Sequence, residues 1–135
     1  DPDCLNWLTS QPGSDFARDT QFFKEHLGQA DIEVNSNEHS IGGLTPPPPI
    51  MRGYVTLVNN RGPFFTDVSG ASNAFAGISG IMSGGSAAQE FLLLHELGHA
   101  FGVLGRDLGN DAAQEANNRA IAEHCSKTLQ SLGGK

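Results

Sequence analysis

The sequence predicts a single α+β domain in which a short mixed or antiparallel sheet packs against a central helix and a C-terminal helix. Three observations predict it. The chain has 135 residues, a length that supports one core and leaves no room for a second. Stretches of alternating polarity in the first half read as strands, and two stretches in the second half carry helical periodicity with start signals in front of them. No repeat and no composition break divides the chain, so residues 1–135 are read as one domain.

Taken in order, Ser14 is placed to cap a helix from about Asp15, with Phe16, Phe23 and Leu27 as its inward face and Gly28 as its end. Ile32 and Val34 alternate with Asp31 and Glu33 as a short half-buried strand. The stretch from Asn35 to Pro49 holds Gly42, Gly43 and four consecutive prolines, which cannot donate ladder hydrogen bonds, and it reads as a surface loop. The strongest strand pattern runs from Ile50 to Val58, and Asn59-Asn60-Arg61-Gly62 is turn chemistry that would return Phe64 to Val68 as a hairpin partner. Residues 69–85 are rich in Gly and Ser, with Phe75, Ile78, Ile81 and Met82 to pack an ordered loop.

Ser86-Ala87-Ala88-Gln89 has the form of a capping box and predicts a helix to about Phe101. At about 100° per residue, Leu93, Leu94, Leu97, Phe101 and Leu104 share a core-facing arc, with Ala88, His95 and His99 opposite. Gly102 and Gly105 break it. A last helix is expected from Ala112 to about Leu132, opened by Asp111-x-x-Gln114 and buried along Ile121, Cys125, Thr128 and Leu132.

Composition excludes several function classes. With 15 acidic and 8 basic residues the formal charge is −7, the wrong sign for nucleic acid or an anionic membrane surface. No apolar run approaches the length of a membrane span. The chain opens Asp1-Pro2-Asp3 with no basic or apolar leader, so a targeting segment is expected to be absent or already removed. Cys4 and Cys125 lie far apart with no second ligand beside either, so a disulfide is expected; it implies secretion or a periplasmic location. Closing so long a loop contributes on the order of 4 to 5 kcal/mol in the chain-entropy model.

The chemistry lies in His95-Glu96-Leu97-Gly98-His99. Two histidines at i and i+4 on a helix are neighbours on one face, so both imidazoles can converge on one Zn2+. Glu96 points beside the pair, where it can act as general base on a water that the metal activates. The flanks Leu93-Leu94 and Ala100-Phe101 are uncharged, as a motif on a buried helix requires. A catalytic zinc needs a third protein ligand. The first carboxylate after the helix breaks at Gly102 and Gly105 is Asp107, at the end of a loop long enough to return beneath the helix. Asp111, Glu115, Glu123 and His124 are the alternatives, Asp111 competing with a role as N-cap.

The run His95-Glu96-Leu97-Gly98-His99-Ala100-Phe101-Gly102 resembles the zincin metallopeptidases, whose metzincin and snapalysin-like members open their signature with the same HExxHxxG. In those families a His or Asp three residues after the glycine is the third ligand. Here that position is Gly105, which cannot coordinate, and the displaced carboxylate at Asp107 is similar in kind to the Asp ligand of snapalysin-like and aspzincin peptidases. Both methionines, Met51 and Met82, precede the helix, so the methionine turn of true metzincins has no counterpart.

The resemblance implies a secreted, monomeric, zinc-dependent endopeptidase acting on a peptide or protein substrate, with Glu96 as the catalytic carboxylate and His95, His99 and Asp107 as the metal ligands. Tyr54, His39 and Arg106 are candidates for stabilising the oxyanion. Substrate would add as a strand beside Ile50 to Val58, with Phe64, Phe65 or the loop 69–85 lining pockets. The competing expectation is a catalytically inactive zincin-like metal-binding interaction module. A peptide deformylase is a weaker alternative, since its Cys-containing ligand motif is missing.

Overall fold

The computed structural model describes residues 1–30, 43–44, 56–59, 75, 78, 84–107 and 109–132. The first element, α1 (Pro2–Leu8), follows from a local signal: the Asp1 carboxylate accepts from the Asp3 amide at 3.1 Å, and Pro2 occupies the first turn, where its missing N–H costs nothing. It turns Cys4 and Leu8 into the core. Next, α2 (Phe16–Glu25) begins one residue later than Ser14 capping predicts. Asp15 is the cap, and its side chain accepts from the Arg18 amide at 2.9 Å.

α2 ends at Glu25 with His26 as its C-cap, so Leu27 and Gly28 belong to the strand β1 (Leu27–Ala30). The inward face expected for α2 shrinks accordingly: Phe23 is buried, while Phe16 and Leu27 are 43% and 39% exposed. β2 (Gly43–Leu44) lies inside the stretch read as a loop, and β3 (Thr56–Asn59) overlaps the end of the strand expected from Ile50 to Val58, the rest of which lies outside the described residues. β3 is central, pairing parallel to β1 with Leu27 opposite Thr56, and antiparallel to β2 with Leu44 opposite Leu57. The expected strand at Ile32 and Val34 and the return strand from Phe64 to Val68 lie outside the described residues.

The α+β class expected from the sequence is thereby corrected. Among the described residues the chain is mostly helical, and strands of four, two and four residues are too short to form a layer against which the helices pack. The chief partners of the long helix α3 (Ser86–Ala100) are two C-terminal helices, α4 (Asp111–His124) and α5 (Ser126–Leu132). The single last helix expected from the sequence is in fact these two, broken at Cys125, which caps α4 and bonds to Cys4. A cystine with its Cα atoms 4.4 Å apart fixes the backbone position of Cys125, where α4 ends. α4 is capped by Asn110, one residue before the expected Asp111, through a 3.0 Å bond from the Ala113 amide to its side chain.

α3 is buried on almost every side. Ala88, Phe91, Leu92, Leu94, His95, Glu96, Gly98 and Ala100 are all buried. The amphipathic arc expected from periodicity is therefore corrected: Leu93 and Leu97 are only partly buried, and Ala88 and His95, placed opposite the core, are inside it. A helix packed by neighbours on several flanks has no single solvent face for periodicity to detect. Its N-cap is Gly85 and makes no side-chain cap bond, so Ser86 is the first helical residue rather than the cap. Phe91 packs against Phe75 at a ring separation of 5.9 Å, and with Ile121 and Cys125 it centres the core.

Candidate metal centre

The end of α3 builds the site. Gly102 adopts φ +78, the left-handed conformation that glycine enters without a Cβ penalty, and it turns the chain back on itself. The amides of Val103 and Leu104 donate to the Gly98 carbonyl at 3.0 and 3.1 Å. Leu104 then lies directly on Gly98: a Cβ built on Gly98 would meet Leu104 Cδ1 at 2.6 Å and Cγ at 2.7 Å. This close approach returns residues 105–107 along α3 toward its two histidines.

His95 and His99, one turn apart, present their Nε2 atoms 3.0 Å from each other with ring centroids 4.8 Å apart. Asp107 Oδ2 lies 2.9 Å from His95 Nε2 and 3.3 Å from His99 Nε2. Tetrahedral zinc with bonds of about 2.0–2.1 Å holds its ligand atoms about 3.3 Å apart, so the three atoms already have the spacing of one face of such a centre. His95, His99 and Asp107 are a group that could hold a metal ion.

The charges fit a cation. Burial pushes the Asp107 carboxyl up, but hydrogen bonds from His95, His99 and Asn117 outweigh it and hold Asp107 far below the usual carboxylate range. Burial pushes His99 down, yet the bond to Asp107, the charges of Glu96 and Asp107 and a hydrogen bond to the Leu104 backbone raise it overall. Asp107 is thus an anion facing two imidazole nitrogens. Three acceptor-capable atoms this close must share positive charge, and a single cation among them satisfies all three.

A further shell comes from α4. Asn118, fully buried, places its Oδ1 2.9 Å from His95 Nδ1. Asn117 Nδ2 donates to Asp107 Oδ2 and to the Gly105 carbonyl, each at 2.8 Å. Sequence reasoning missed both residues. The available signal was two consecutive asparagines in mid-helix, where neither favours the helix and both need partners.

The remaining candidates are placed elsewhere. Glu115 pairs with Arg119 one turn along α4. His124 stacks on Trp7 with ring centroids 5.0 Å apart and an interplanar angle of 11°. Glu123 is exposed, and Asp111 lies in the first turn of α4. Arg106 is exposed beside the ligand loop, whereas Tyr54, His39, Phe64 and Phe65 lie outside the described residues. Glu96 is 4% exposed and close enough to His99 for its charge to act there. A cavity of about 570 Å3 opens by the start of α2 and the end of α3, lined by Arg18, Phe22 and Phe101 among others, but none of the three ligand candidates lines it. No family model, no curated protein and no solved structure matches the chain.

Proposed function

We propose that this protein is a secreted zinc-dependent endopeptidase of zincin type, with His95, His99 and Asp107 as ligands and Glu96 as general base. The observation that carries the reading is the convergence of Asp107 Oδ2, from the loop after α3, with His95 Nε2 and His99 Nε2 within 3.3 Å of one another, the two histidines lying on a helix that also bears Glu96. Two imidazoles and one carboxylate are the donor set of catalytic zinc sites that keep a fourth position for water or substrate. When bound, the ion would polarise a carbonyl and make water acidic near neutral pH.

The chain's own residues would do the rest. Glu96 would take the proton of the attacking water and deliver it to the leaving amine nitrogen as the C–N bond breaks. Asp107 and the two imidazoles would hold their geometry through α4 and the Leu104 turn. Cys4–Cys125 suits an oxidising compartment, and no described helix is long and apolar enough to cross a membrane.

A second reading has an observation of its own. His95 and Glu96 are 3% and 4% exposed, a degree of burial that would equally suit a metal clamp in a binding module without catalysis. One experiment separates the two. Protein loaded with about one zinc per chain should cleave casein or a mixed peptide library, and Glu96→Ala should keep the zinc and lose activity by about 100-fold or more. Cleavage absent from the zinc-loaded wild type, or unchanged in Glu96→Ala, defeats the peptidase reading.

A further inference from the structure

We propose that Asn117 and Asn118, adjacent on α4, are positioning residues for the metal centre: Asn118 sets the tautomer of His95 and Asn117 sets the carboxylate of Asp107. The inference rests on the metal-binding part of the reading above and is independent of catalysis.

The argument for Asn118 is one of donors and acceptors. Its Oδ1 can only accept, so at 2.9 Å from His95 Nδ1 it requires the proton to sit on Nδ1. With the Nδ1 proton fixed, Nε2 is the position a cation fills: a proton shared with Asp107 when no metal is bound, and the metal itself when one is. Nε2 is the atom that faces Asp107 Oδ2 and His99 Nε2. The bond therefore selects the ligating form of His95 and stops the ring from flipping. Asn118 is itself fully buried, so water cannot replace it as acceptor.

Asn117 works on the other ligand. One amide nitrogen bridges Asp107 Oδ2 and the Gly105 carbonyl, which ties both ends of the returning segment 105–107 to a rigid helix. Asp107 stands in a loop behind two glycines and would otherwise have no regular element to position it. Successive helical residues point about 100° apart, which lets one two-residue step of α4 reach a ligand on α3 and a ligand in the loop. The Leu104 backbone completes the set by holding His99, so each of the three ligand candidates has a partner behind it.

The test uses the full, oxidised chain. Zinc affinity is measured by competition with a chromophoric chelator, the Co2+-substituted visible spectrum reports ligand geometry, and 15N-detected NMR reports the His95 tautomer in metal-free protein. Asn118→Ala should weaken zinc binding by about 10- to 100-fold and release His95 to a tautomer mixture. Asn118→Asp, which still accepts from Nδ1, should restore both. Asn117→Ala should weaken zinc binding by about tenfold and alter the Co2+ spectrum while leaving the His95 tautomer unchanged. If Asn118→Ala does not fold, Asn118→Asp and the wild-type tautomer decide the matter. Wild-type His95 with no proton on Nδ1, or zinc affinity within about twofold of wild type in both alanine variants, overturns the proposal. Wild type that takes up no zinc instead overturns the metal reading on which the proposal rests.

Discussion

Around Asn117 and Asn118, α4 is tied to the rest of the chain by hydrogen bonds to a group of charged ligands, whereas at Cys125 it is tied by a covalent bond to Cys4. The two regions hold the same helix in different ways. At the cystine end the surroundings are apolar and unconditional: Leu8, Phe91 and Ile121 are buried with the two cysteines in one cluster. At the ligand end, three atoms that could hold a metal ion face one another, and their mutual order should depend on the cation or protons among them. A helix anchored in this way would keep its place if the loop 102–107 responded to a metal.

The largest expected effect breaks the unconditional end. The disulfide joins residues 121 apart in sequence, and its loss in Cys4→Ala/Cys125→Ala should cost roughly 3 to 5 kcal/mol, less whatever residual structure the unfolded chain keeps. Urea denaturation should show the midpoint falling sharply, with zinc affinity of the surviving folded fraction changed far less. Equal losses in stability and zinc affinity would mean that the two ends of α4 are one unit.

Removing the cation tests the other end. With zinc at about 1,000 times its dissociation constant, binding should stabilise the fold by about 4 kcal/mol, and chelation should remove that amount. Amide exchange should speed up in residues 102–107 after chelation and stay slow around Cys125. Exchange that rises uniformly along α4 would remove the distinction.

At the ligand end itself, Gly98 should give a smaller effect. Ala is normally the better helix former by about 1 kcal/mol, but here its Cβ meets Leu104 at 2.6 Å. Leu104 is buried, and its amide is bonded to the same Gly98 carbonyl, so side chain and turn must move together. The collision wins over the propensity gain. Gly98→Ala should lose about 1–2 kcal/mol and bind zinc about tenfold more weakly because Asp107 follows the turn. A gain in stability with zinc affinity intact would show that Leu104 yields freely.

The same contrast explains what could be read in the sequence. The grouping of His95 and His99 was legible because the spacing i, i+4 is settled within one helical turn, and Asp107 because glycines frame the return of a short loop. The cystine was legible because two cysteines have one pairing. Asn117 and Asn118 were not, since their partners lie up to 23 residues away and only the packing of α4 on α3 brings them together. The class of the fold was misread for a related reason. Pairing of β1 with β3 joins residues nearly thirty positions apart, and local alternation cannot fix how long such strands are. α1 was overlooked although Asp1-Pro2 is a helix start in its own right.

The smallest expected effect is with pH, and its shape differs between metal-free and zinc-loaded protein. Asp107 is held below its ordinary value of 3.8 in the folded chain. Its contribution is complete above that value and is lost as the pH falls, because the unfolded chain then takes up a proton that the folded chain refuses. His99 is raised above its ordinary 6.5. Its contribution is complete below that value and is lost as the pH rises through the raised one. Both shifts report the same contact and count once, so metal-free protein should show a modest stability maximum between these limits. Urea midpoints from about pH 3 to about pH 9 would display it, and His99→Gln should remove the alkaline limb and weaken the acid limb, since Asp107 loses one of its partners. With zinc bound, the metal takes the place of the His99 proton, so the alkaline limb should vanish. The acid limb should steepen, because protons then compete with the metal for three ligands. A metal-free curve that is flat above neutrality would show that His99 and Asp107 do not hold each other in the absence of the ion.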